Sequence, residues 1–169
     1  QSEWNQQKRF TGWVDVGLTD KGRAEAKKAG ELIKEKKIKL DSFYSSYQKR
    51  ANDTLKIVMK ELNEDENLIT KKWQLNERHY GELTGLNKED MKKKYGEEKI
   101  HQFRRSWDVK PGALDRKSPY HPLNIDTYKD IPVSVVPDTE SLIDTHKRVV
   151  DCYNELILKV LQKGKCVCF

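Results

Sequence analysis

The chain of 169 residues holds only three cysteines, Cys152, Cys166 and Cys168, all near its end and without paired spacing. An odd, clustered set of this kind is neither a disulfide framework nor a zinc site, and a reducing cytoplasmic setting is expected. No apolar run approaches the length needed to cross a bilayer, and no secretory leader is expected. Internal repeats and a second domain are also missing, so residues 1–169 are read as one domain. Basic residues are not interleaved with aromatics into a stacking platform, which argues against nucleic acid as the partner. There is no initiating Met before Gln1, and Lys165-Cys166-Val167-Cys168-Phe169 resembles the opening of a strand; both ends are expected to be cut.

Charge is abundant. Charged residues make up 36% of the chain, and 33 lysines and arginines against 27 acids leave a net charge of +6. That surplus suits an anionic partner, although much of the lysine, as in Lys34-Glu35-Lys36-Lys37 and Lys92-Lys93-Lys94, fits an exposed helical face equally well.

The densest chemistry lies in Leu75-Asn76-Glu77-Arg78-His79-Tyr80-Gly81, which places a carboxylate beside a guanidinium, an imidazole and a phenol. It reads as a strand running out into a loop, the usual mount for reactive groups in an α/β protein. Glu77 there can give and take a proton while Arg78 and Tyr80 hold an anion, or it can simply pair with a surface neighbour.

Around this stretch the periodicity predicts alternating elements. A helix follows the N-cap Thr19, with Ala26, Ala29, Gly30 and Ile33 on one face, small enough to pack closely on a sheet. A strand is expected at Ser42-Phe43-Tyr44-Ser45 and a helix over 48–62, where Arg50 in the first turn opposes the helix dipole and a bound phosphate would answer it. Residues 67–75 are expected to form a strand, and Asn87 to cap a helix that Gly96 ends. The next helix, 97–107, carries Ile100, Phe103 and Trp107 and leaves Arg104 and Arg105 about 100° apart, able to embrace one anion. All five prolines fall between Asp108 and Asp138, an irregular excursion expected to act as a lid or wall. The last helix should bury Leu142, His146, Val149, Tyr153, Leu156 and Val160, with His146 as a packed core residue, whereas His101 and His121 are expected at the surface. The alternation predicts an α/β fold with a largely parallel sheet covered on both faces.

Gln1-Ser2-Glu3-Trp4-Asn5, Arg9-Phe10-Thr11-Gly12-Trp13, the heptapeptide 75–81, Gly85-Leu86-Asn87-Lys88, Tyr95-Gly96-Glu97-Glu98 and Arg104-Arg105-Ser106 together resemble the cofactor-dependent phosphoglycerate mutases of the histidine phosphatase superfamily. The resemblance implies a three-layer α/β sandwich, incomplete here at both termini. It also implies a glycolytic and gluconeogenic isomerase that moves a phosphoryl group between the 3- and 2-oxygens of glycerate through a phosphohistidine. The cofactor would be 2,3-bisphosphoglycerate, with no metal, and the assembly a homo-dimer or tetramer. Glu77 would be the general acid and base. Arg50, Arg78, Lys88, Arg104 and Arg105 would clamp phosphate and carboxylate oxygens, with Asn5, Thr11, Gly12, His79 and Tyr80 beside them and Gln1 and Ser2 near the reacting phosphate. In the family an Arg-His-Gly triplet with the nucleophile stands before the position of Gln1, and a second His-Gly lies beyond the position of Phe169. Residues 1–169 alone are therefore expected to be inactive. Two alternatives stay open: a bisphosphoglycerate mutase or phosphatase, and a non-catalytic phosphoglycerate-binding relative.

Overall fold

A computed structural model describes all residues, 1–169. Three parallel strands form its sheet, in the order β2 (Ile69–Lys71), β1 (Ser42–Ser45), β3 (Val167–Cys168). Phe43 stands opposite Ile69 on one side of β1 and opposite Cys168 on the other. Parallel neighbours require crossovers, and helices supply them. This is the α/β class that the alternating pattern predicts. β2 is shorter than expected, because 66–68 and 73–75 wind into 3-10 turns on either side of it.

Local rules place the helices. Thr19 accepts a hydrogen bond from the Gly22 N–H and starts α2 (Asp20–Glu35). The Asn87 side chain accepts from the N–H groups of Glu89 and Asp90 to start α4 (Lys88–Tyr95), and Gly96, at φ 85°, separates it from α5 (Glu97–Arg105). Ser141 and Asp144 cap α6 (Leu142–Cys152) reciprocally. The short α1 (Glu3–Gln6) is capped by Ser2.

The small-residue face of α2 packs on α3 (Lys49–Leu62) rather than on the sheet, with Gly22, Ala26 and Gly30 buried. A Cβ built on Gly30 would lie 2.7 Å from Glu61 Cβ and 3.1 Å from the Val58 carbonyl. The sequence shows that this face must meet something close; it does not say whether that is a sheet or a helix. On its other side α3 places Leu55 and Met59 against Phe43 of β1.

The last helix departs from its expected face. It passes through a π-helical stretch, Tyr153–Ile157, before α7 (Leu158–Leu161), and its buried residues are Cys152 and Ile157, five apart. The extra residue of the π turn rotates Leu156 off the inner face and brings Ile157 onto it. His146 is exposed rather than packed in the core, with its ring edge-on to the half-exposed Trp107. α5 stops at Arg105, which leaves Trp107 outside the helix.

The proline-rich stretch forms a wall. Its turns deliver Tyr128, Ile131 and Val136 onto Trp13, and the Tyr128 hydroxyl donates to the Trp13 carbonyl at 2.6 Å. His121, expected at the surface, is fully buried, with Nε2 3.0 Å from Asp138. Its ring lies 6.1 Å from that of His79.

Gly30→Ala should lower stability by about 1–3 kcal/mol, because the added methyl overpacks the α2–α3 contact; urea unfolding measures this. His79 gives a pH effect with a definite sign. Burial, with help from His121 and Arg148, holds its pKa at about 3, against an ordinary 6.5. Between those values the unfolded chain binds a proton that the folded chain refuses, so stability falls as pH drops, by up to roughly 1.4 kcal/mol per unit. His79→Asn keeps an acceptor and loses the titration, so the denaturation midpoint should depend less on pH between neutrality and pH 5 than in the wild type.

Candidate active site

Glu77 sits where the chain leaves β2 and its 3-10 turn, at the carboxyl end of the parallel sheet, the place where such sheets hold their ligands. Its carboxylate accepts from Arg50 Nη2 at 2.7 Å. The same guanidinium donates to the carbonyls of Gly12, at 2.9 Å, and Val14, at 3.0 Å, so it reaches Glu77 already fixed in direction. The conflict of Arg50 with the start of α3 is answered inside the protein. Asp15 accepts from the Lys49 N–H at 2.6 Å and supplies the anion that the first turn of α3 lacks.

Gln48 precedes α3 and makes no cap bond there. Its buried side chain instead donates to the Gly12 carbonyl at 2.8 Å and accepts from the Glu77 N–H at 3.3 Å. It ties the Thr11–Gly12 loop to the loop bearing Glu77. The sequence offers no signal for this beyond its place next to Arg50. Gly12 takes φ 56°, and a Cβ there would stand 3.2 Å from the Tyr80 nitrogen, so the two loops approach as closely as glycine allows.

Arg78 is buried, donates through Nη2 to the Arg104 carbonyl at 2.9 Å, and lies 5.0 Å from the Tyr80 ring centre. Its Nη1 has no partner, nor does the buried hydroxyl of Thr11. An unpaired buried donor is costly, and both residues flank the same pair of loops. Lys88 closes the group. Burial lowers its pKa, Arg104 lowers it further and Glu77 raises it; burial also raises the Tyr80 pKa, with Glu77 acting in the same direction. Arg50 thus pairs with Glu77, while Glu77, Arg78 and Arg104 act on Tyr80 and Glu77 and Arg104 act on Lys88.

Other residues singled out in the sequence make different contacts. His79 is fully buried; its Nδ1 accepts from the Gly81 N–H at 2.9 Å and its ring packs against Trp13, so it supports the loop, and its Nε2 has no partner. Arg105 is exposed, next to the half-buried Arg104. Gln1 turns toward Thr19, whose hydroxyl lies within hydrogen-bond distance of its side chain. Ser2 spends its hydroxyl on the Asn5 N–H as the cap of α1, and Asn5 is exposed on that helix. A cavity of about 550 Å³ beside β1 shares Arg50 and Glu77 with the cation group, but Leu55, Val58 and Val149 make its walls apolar. A small polyanion fits the cation side, not those walls. No three His, Cys, Asp or Glu side chains gather as a metal site would.

The histidine phosphatase superfamily (branch 1) matches residues 1–122. The 2,3-bisphosphoglycerate-dependent phosphoglycerate mutase of Pelagibacter ubique (strain HTCC1062) is 61% identical over 165 residues, covering 98% of this chain and 69% of that one. This chain belongs to the 2,3-bisphosphoglycerate-dependent phosphoglycerate mutases. The mutase of the same description from Borreliella burgdorferi (strain ZS7) is 47% identical over 167 residues, 99% of this chain and 67% of its own. The chain therefore spans about two thirds of the length of the curated relatives it matches. Among solved structures, a mycobacterial glucosyl-3-phosphoglycerate phosphatase complexed with VO3 superposes with TM-score 0.71 at 19% identity, covering 99% of this chain and 69% of that one. A structure described as mycobacterial hydrolase 2 gives 0.71 at 19% identity, with 99% and 61% covered. These two share the fold.

Arg104→Gln should raise the Lys88 pKa, since it removes a positive neighbour that now opposes protonation of the amine. Titration of the Lys88 side chain by NMR reads this directly, and an unchanged or lowered value would place the two cations apart.

Proposed function

We propose that the protein interconverts 3-phosphoglycerate and 2-phosphoglycerate, and that Glu77 carries the proton in that exchange. The observation that supports this is the Arg50–Glu77 pair at 2.7 Å with Lys88 and Arg104 in its field, next to Arg78 and Thr11, which keep buried donors free. Phosphoryl transfer rests mainly on placing and neutralising a multiply charged group, and this chain offers fixed positive charge at that point. Moving the phosphoryl from the 3-oxygen to the 2-oxygen requires the 2-hydroxyl to lose a proton and the 3-oxygen to gain one. Glu77 is 40% exposed and reachable from solvent, so it can accept the first and return the second.

Arg50, Arg78, Lys88 and Arg104 would hold the phosphates and carboxylate of 2,3-bisphosphoglycerate, with Tyr80, Thr11 and the backbone at Gly12 alongside. When bound, that cofactor supplies the phosphoryl group that primes the protein. The unpaired donors of Arg78 and Thr11 are what such a group would satisfy. Residues 1–169 are read as one domain. A cytoplasmic setting belongs to the same reading, supported by three free cysteines, one of them exposed. So does assembly as a homo-dimer or tetramer, which rests on the family resemblance.

Turnover by the full-length enzyme, followed by 31P NMR with each monophosphoglycerate, tests the proposal. Glu77→Gln should lower kcat by about 10²–10⁴-fold and change KM little. Arg78→Met should raise KM by about 10–100-fold, the worth of one or two charge-assisted hydrogen bonds. A Glu77→Gln enzyme with wild-type kcat would sink the assignment. The ratio of mutase to bisphosphoglycerate synthase and phosphatase rates separates a mutase from its bisphosphoglycerate-handling relatives.

A further inference from the structure

Arg148 of α6 uses every N–H it has. Nε and Nη2 donate to the two oxygens of Glu140, at 2.7 and 2.9 Å. Nη1 donates to the carbonyls of Gln74, at 2.6 Å, and Asn76, at 2.8 Å, and Nη2 also donates to the Glu77 carbonyl at 3.1 Å. Glu140 Oε2 accepts in addition from the His79 N–H at 2.8 Å, and the Glu140 N–H returns a bond to the His79 carbonyl. Both side chains are almost completely buried, at 9% and 5% exposure, and the guanidinium lies 5.5 Å from the Trp13 ring centre, next to Gly12.

We infer that the Arg148–Glu140 pair is a positioning device for the phosphoglycerate reaction: it fixes the backbone from Gln74 to His79 and so sets where the Glu77 carboxylate stands. This rests on the proposed role of Glu77. Arg50 is anchored separately, by Gly12 and Val14, and Arg78, whose backbone belongs to the clamped segment, has its guanidinium tied to the Arg104 carbonyl outside it, so loosening this pair should disturb the proton carrier more than the binding of anionic oxygens. Only a planar guanidinium can meet a bidentate carboxylate and three carbonyls at once; an ammonium has three donors and no fork. Displacing a reacting group by an ångström costs on the order of a hundredfold in rate, and the buried pair is what prevents such a displacement here.

In the full-length enzyme, Arg148→Lys should lower kcat about 10–100-fold while KM for phosphoglycerate stays within about threefold. Glu140→Gln keeps an acceptor for one of its donors and should show a smaller fall in kcat of the same kind; it serves if Arg148→Lys does not fold. In either variant the His79 amide should exchange its hydrogen about tenfold faster or more, with the helical amides of α2 unchanged. A folded variant whose kcat stays within about twofold of wild type, or whose kcat falls only with its folded fraction, overturns the inference. Unchanged exchange at His79 overturns it as well. A wild-type enzyme without turnover would instead remove the functional reading, and the exchange rates would then judge the clamp alone.

Discussion

Irregular backbone brought indoors has carbonyls that water no longer reaches, and in this protein arginine side chains meet them. Arg50 serves Gly12 and Val14, Arg9 serves Gly85, Arg148 serves Gln74, Asn76 and Glu77, and Arg78 serves the Arg104 carbonyl in the last turn of α5. Buried carbonyls need donors, and a loop cannot supply them from its own ladder as a strand does. A guanidinium with five donors can serve two or three loop carbonyls and still present a free edge. The loops around Glu77 are therefore ordered by the same residue type that gives the site its charge.

That double use has an electrostatic consequence. An arginine swinging freely on a surface would have to be immobilised when an anion arrives, whereas Arg50 and Arg78 are already fixed by the backbone they support. The ordering cost falls on folding. Acids elsewhere offset the strain of gathering positive charge: Asp15 covers the first turn of α3, and Glu140 neutralises Arg148 within the wall of the site. What remains uncompensated faces the loops of Thr11–Gly12 and Glu77–Tyr80.

Much of the frame was legible because local chemistry specifies it. Thr19, Asn87, Ser141 and Gly96 mark their helices, and the Ser42–Ser45 strand appears where the sequence places it. Glu77, Arg78 and Tyr80 were visible as a dense polar run. What could not be read has partners far along the chain. Gln48 looks like an ordinary residue before a helix until Gly12 and Glu77 are seen on either side of it; Arg148 and Glu140 fall on a helix and its approach with nothing to say that residues 74–79 lie against them. His79 was placed with the ligand-facing groups because of its neighbours in sequence, yet alternate residues of an extended segment face opposite ways, and it turns toward Trp13 and His121. His121 looked like a loop residue because the loop that carries it is itself folded into the core.

The π turn at Tyr153–Ile157 bears on how such a chain can vary over time. Upstream of it Arg148 is set by the loop it touches; downstream, α7 leads to β3 and its pairing with β1. Losing one residue within the turn would restore a regular helix with Cys152 and Ile157 four apart and still on one face, whereas losing one from the regular turns on either side would rotate all that follows by about 100°. Changes of length in those regular turns are thereby coupled to the sheet, and the π turn is the point at which this helix can gain or lose a residue without disturbing it.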